Sequence, residues 1–72
     1  MGFAQRLSEL MKEWNCTQAV LAAAIGYSQR AVSKWINRQA EPTATAIVKC
    51  TNFFGVSADY LLGLKDYEYK AS

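Results

Sequence analysis

Gln29, Arg30, Ser33, Lys34 and Asn37 recur three or four residues apart in S-Q-R-A-V-S-K-W-I-N, so on a helix they form one continuous polar strip. Each side chain carries a usable tool. A glutamine amide can bond an adenine edge in bidentate fashion, and Arg30 and Lys34 have the reach and donors for O6 and N7 of guanine. One good bidentate pair discriminates between bases by roughly 1–3 kcal/mol, so two or three define a short stretch of base pairs. Val32 and Trp35 fall on the opposite side and supply the apolar face that docks such a helix. Most polar strips are merely solvated, so the surroundings of this one decide its meaning.

Those surroundings are a short helix, a break and a second helix. Thr17 is a cap for a helix running from about Gln18 to Ala24, Leu21 and Ile25 face inward, and Gly26 breaks the run. Ser28 then caps the helix that carries the strip, over about Gln29–Asn37. Upstream, Phe3, Leu7, Leu10, Met11 and Trp14 recur at helical spacing, with Arg6, Glu9, Lys12 and Glu13 expected on the solvated side. Downstream, Thr43 after Pro42 starts a fourth helix through Ile47, Val48, Cys50 and Phe54 to Gly55. Ser57 caps a short fifth helix, with Asp59 near its positive end and Leu61 and Leu62 inward, stopped by Gly63. The expected architecture is all-α: a compact five-helix bundle over residues 1–64, followed by a short extended tail over 65–72.

Composition fits one small domain. With 72 residues, 51% of them hydrophobic, the chain spends its apolar side chains on a single core and has no volume for an internal substrate cavity. The net charge of +2 is modest, but it is unevenly spread. No acidic residue lies between Glu13 and Glu41, whereas Arg30, Lys34 and Arg38 do, giving one purely cationic region suited to phosphates.

Other function classes find little support. There is no histidine, and Cys16 and Cys50 are too few for a zinc site and too far apart in sequence to suggest a disulfide framework, so neither metal nor cofactor is expected. Both fall at apolar positions and read as core residues of a reduced, cytoplasmic protein. The start M-G-F-A-Q-R has no secretory or myristoylation pattern, and the apolar run Ala19–Ile25 is far short of a membrane span. Without paired buried carboxylates or a glycine-rich phosphate loop, an enzyme is not expected.

The pattern T-Q-x-x-L-A-x-x-I-G-x-S-x-x-x-V-x-x-W, followed by E-P-T-A-T-A-I-V-K-C-T-N-F-F-G-V-S-A-D-Y-L-L-G, resembles the phage repressor and Cro family of helix-turn-helix proteins, also called the XRE family. The likeness runs from Phe3 to Leu64. Inward Leu21, Ile25, Tyr27, Val32 and Trp35, small Ala22 at the helix crossing and Gly26 at the turn all stand where the motif needs them. The resemblance implies a lambda-repressor-like fold and a bacterial or phage transcriptional regulator, expected to be a repressor, that binds double-stranded operator DNA as a homodimer. It places Gln29, Arg30, Ser33 and Lys34 on the base-facing side of the recognition helix. It also places Gln18 and Asn37 on the sugar-phosphate backbone. Thr17 and Ser28 join them as caps at exposed helix starts, which are natural phosphate sites, and Arg38 and Gln39 as loop residues before Pro42.

Four positions depart from the family pattern. Met11 and Ile36 stand where many members carry an arginine and a glutamate, an apolar exchange that predicts contact between them. Arg38 stands where glycine commonly follows the asparagine, which predicts a differently shaped loop. Val20 is apolar at a surface-facing position of the second helix. For the dimer, Tyr60, Leu64, Tyr67 and Tyr69 supply more apolar area than the core can absorb, unless the tyrosines fold back on their own domain. The competing function is a protein-interaction module on the same fold, such as an antitoxin-like or adaptor domain, because a fold does not dictate its partner.

Overall fold

The computed structural model describes residues 2–64. In these residues α1 (Phe3–Glu13), α2 (Gln18–Ile25), α3 (Gln29–Ile36), α4 (Ala44–Phe54) and α5 (Ala58–Leu61) follow one another with no strand among them. The expected tail, with Tyr67 and Tyr69, lies outside the described residues.

Local signals set the helix boundaries. Thr17, Ser28, Thr43 and Ser57 each sit in extended backbone and accept a hydrogen bond from the N–H three residues on, at 3.1–3.2 Å. At the other end, every helix is followed within two residues by left-handed backbone. Glycine provides it at 26, 55 and 63, and Asn15 and Arg38 provide it after α1 and α3.

One core joins all five helices. Leu7, Leu10 and Met11 of α1, Leu21, Ala22 and Ile25 of α2, and Val32 and Trp35 of α3 meet Ala46, Cys50, Phe54, Val56 and Leu61. Met11 is buried and Ile36 packs against the same core, so both positions where the family resemblance expects a charged pair are apolar here. Burial pushes the Cys50 thiol up to about 11 and keeps it neutral, as befits a small core residue. Burial also raises Cys16, against the lowering pull of the Leu21 backbone N–H.

Two side chains differ from their expected places. Arg6, expected on the solvated side of α1, is buried, with its guanidinium 4.3 Å from the centre of the Tyr60 ring. Arg6 lies in the stripe defined by Phe3, Leu7 and Leu10, and its methylene stem can follow that stripe while the cation settles on an aromatic face. Trp14 follows the last turn of α1 and is half exposed, its ring leaning edge-on against Phe54 at 5.4 Å and on Phe53 at 6.0 Å. Val48 is exposed as well, because α4 turns Ala46, Cys50 and Phe54 inward.

Candidate nucleic-acid interface

Gly26 makes the turn between α2 and α3. Its φ of 79° is the left-handed conformation open to glycine, and Ala22 O accepts from both Gly26 N–H and Tyr27 N–H, at 2.9 and 3.0 Å. Tyr27 then leaves the turn toward the body of the domain, its hydroxyl 3.2 Å from the Thr43 hydroxyl that caps α4. The α2–α3 turn and the start of α4 are thereby tied together.

The inner face of α3 is locked by aromatic packing. The Trp35 ring meets Tyr27 edge-on at 5.3 Å and Phe3 at 6.3 Å, while Val32 is fully buried. With its inner face held from the turn and from α1, the rotation of α3 about its axis is set. The outer face is then presented without choice. Gln29, Arg30, Lys34 and Asn37 are exposed and Ser33 is half-buried, so the structure brings the expected strip together on one side. Asn37 caps the end of α3, and its Nδ2 donates to the Ser33 hydroxyl at 3.3 Å, a link across one helical turn.

The end of α3 corrects the expectation for Arg38. Replacing glycine does not remove the left-handed cap: Arg38 itself adopts φ 60°. Its N–H bonds Trp35 O at 3.2 Å and Gln39 N–H bonds Lys34 O at 2.8 Å, the paired bonds of a Schellman motif. Left-handed backbone costs a side chain bearing a Cβ roughly 1 kcal/mol, so this end of α3 is strained where a glycine would relax it. Arg38 and Gln39 are both exposed.

At the start of α2, Thr17 is exposed and Gln18 half-buried. The Thr17 hydroxyl takes the Val20 N–H at 3.2 Å and Thr17 O takes the Leu21 N–H, leaving those of Gln18 and Ala19 for an incoming acceptor. Thr17 and Ser28 thus both act as caps. Of the dimer candidates within the described residues, Leu64 is 71% exposed, while Tyr60 is half-buried and packs its ring against the core and beneath Arg6.

Two features escaped the sequence reading. One is the Ser33–Asn37 hydrogen bond, for which the four-residue spacing was the available signal. The other is an uncharged outer face on α2, where exposed Ala19, Val20, Ala23 and Ala24 run into a groove against Lys49, Asn52 and Phe53 of α4. Alanine reads equally well as packing or as surface, so composition alone did not show it.

The Helix-turn-helix family model matches residues 7–61, spanning α1 to the end of α5. The chain belongs to the helix-turn-helix family. Within that family it is of the phage repressor and Cro type. It is similar to the P22 c2 repressor crystallised with synthetic operator 9T, with a TM-score of 0.80 and 27% identity over 86% of this chain and 94% of that one. The solution structure of the P22 c2 repressor DNA-binding domain gives 0.82 and 25% identity, covering 100% of this chain and 92% of that one. A transcriptional regulator from Listeria innocua shares the fold at 0.81 with 23% identity, over 96% of this chain and 64% of the other. No curated protein sequence matches the chain. No described helix of this helix-turn-helix protein is long and apolar enough to cross a membrane.

Proposed function

We propose that the chain is a sequence-specific, double-stranded DNA-binding transcriptional regulator, a repressor in type, that lays α3 in the major groove. The observation that carries this reading is the orientation of α3. Trp35 and Val32 are clamped inward, and Gln29, Arg30, Ser33 and Lys34 stand together on the outer face, the arrangement required for base-edge contacts. The likeness to a repressor crystallised with its operator supports the same partner.

Around the base readers, Thr17, Gln18, Ser28, Asn37, Arg38 and Gln39 hold the sugar-phosphate backbone. The start of α2 offers free N–H groups and the positive end of the helix to one phosphate, and Arg38 offers a cation to another. Such contacts fix register and carry no sequence information of their own.

A single α3 reads too few base pairs for useful specificity, so the working form is a homodimer. Exposed Leu64 lies two residues beyond Leu62, which shares a shallow depression with Phe3, Pro42 and Ile47. A neighbouring cleft holds Phe3 and Pro42 together with Trp35 and Arg38, and Glu41 lines both, so this partly apolar region adjoins the end of α3. Pairing there brings the α3 helices of two copies close to each other; Tyr67 and Tyr69 lie outside the described residues. The site of action is the cytoplasm, on DNA.

A second reading, a protein-interaction module of the antitoxin or adaptor kind, is favoured by one observation, the uncharged outer face of α2 and its groove against α4. Selection of bound duplexes from a random library at near-physiological salt tests the choice, with an Arg30→Ala, Lys34→Ala double variant as control. Enrichment of a two-fold site with half-sites about 10 bp apart, lost in the variant, is the expected result. No enrichment, or equal enrichment by the variant, transfers the weight to the protein-interaction reading.

A further inference from the structure

On the reading that α3 contacts base edges, we infer that Asn37 is a positioning residue that biases the polarity with which Ser33 reads DNA toward donation. The Ser33 hydroxyl is both donor and acceptor, so a serine on a recognition helix ordinarily accepts any base that offers either partner. Here its oxygen already accepts a hydrogen bond from Asn37 Nδ2 at 3.3 Å. A serine inside a helix often donates its proton to the carbonyl one turn back, as Thr51 does to Val48 O at 2.7 Å in α4. Ser33 makes no such bond: its hydrogen bond within the chain is the one from Asn37. The proton is therefore free for the groove while one of the two lone pairs is taken.

Ser33 is thereby biased toward donating, because accepting from Asn37 polarises its O–H and occupies one of its two lone pairs. It favours acceptors on the major-groove edge, N7 and O6 of guanine above all, and N6 of adenine or N4 of cytosine has only the second lone pair to reach. Asn37 retains a second N–H and its Oδ1. That second N–H is free to take a phosphate oxygen, and a backbone contact of this kind would hold the amide in the orientation that polarises Ser33. One residue then couples a phosphate contact to the base read one helical turn away.

Column-by-column selection of bound duplexes tests this, using the full chain and comparing wild type with Ser33→Ala, Asn37→Ala and Asn37→Asp at matched far-UV circular dichroism. Ser33→Ala identifies the column that Ser33 reads. Asn37→Asp replaces the donor with an ionised acceptor, so Ser33 donates inward and turns its lone pairs outward. In that column the preference is expected to move at least about tenfold from guanine toward adenine or cytosine, since one misplaced base contact is worth roughly 1–3 kcal/mol. Asn37→Ala flattens the same column without inverting it, and the other columns stay as in wild type. If Ser33→Ala changes a column and neither Asn37 variant alters it, losing only affinity for all duplexes alike, the inference is overturned while base reading by α3 stands. If wild type enriches duplexes and Ser33→Ala changes no column, Ser33 reads nothing and the inference falls. If wild type enriches no duplex, the proposed function fails first and takes the inference with it.

Discussion

α2 and α3 are the same length, each eight residues, and both begin with a hydroxyl cap, yet they divide their surfaces in opposite ways. α2 buries Leu21, Ala22 and Ile25 and shows solvent only alanines and Val20 along its outer face. α3 buries Val32 and Trp35 and shows solvent Gln29 and two cations, Arg30 and Lys34, with Ser33 half-buried beside them and Asn37 exposed at its end. The difference separates two jobs. In the proposed function, α2 gives its side chains to packing and only its N-terminal end to a phosphate, whereas α3, held in place by a single aromatic clamp, gives its side chains to the groove. Function here resides in which part of a helix is left over once packing is satisfied.

Substitutions that act on one helix and spare the other sharpen this contrast. The largest effect on stability is expected from Leu21→Ala, because Leu21 is fully buried between the helices. The loss of transfer energy and the cavity together cost about 2–5 kcal/mol, read as a fall of roughly 10–30 °C in a thermal melt. Val20→Ala, one residue away on the outer face, should stay within about 0.5 kcal/mol of wild type. Equal effects of the two would break the division of α2 into a packed face and a free one.

On α3 the expected signs reverse. Arg30→Ala with Lys34→Ala should weaken binding to a selected site by roughly a hundredfold or more. The melting midpoint should barely move, because both side chains are exposed. Fluorescence anisotropy and a melt on the same sample check both halves. Thr17→Ala is a mixed case, removing the cap of α2 for about 1 kcal/mol of stability and weakening all duplexes alike through the disturbed phosphate site.

The smallest effect, and the most diagnostic in sign, is at Arg38. Arg38→Gly relieves the left-handed strain and should raise stability by up to about 1 kcal/mol. The same change removes the cation proposed to contact a phosphate and should lower the slope of log affinity against log salt by about one unit. Stability and binding moving in opposite directions at one residue would show that strain is retained there for the charge.

Much of this arrangement was legible in the residues. Hydroxyl caps at Thr17, Ser28, Thr43 and Ser57 and glycines at 26, 55 and 63 act through local backbone geometry, which needs no knowledge of the fold, and the expected helix limits lie within a residue of those observed. The strip from Gln29 to Asn37 was legible for the same reason, since helical spacing alone puts it on one face. What the sequence hid depended on tertiary surroundings. The burial of Arg6 required Tyr60 to arrive from α5, and the half-exposure of Trp14 required α1 to end one residue earlier and the ring to lean on α4. The left-handed Arg38 followed from the demand of the α3 terminus for that geometry, which outweighed the preference of the residue itself.

The most direct test of the central claim is to titrate the 15N-labelled protein with a duplex enriched by selection and follow every backbone amide. The largest shift changes should fall on Gln29–Asn37 and on Gln18 and Ala19 at the start of α2. Ala23, Ala24, Asn52 and Phe53, in the groove between α2 and α4, should stay near their free positions. Changes concentrated in that groove, with α3 left unperturbed, would contradict the account.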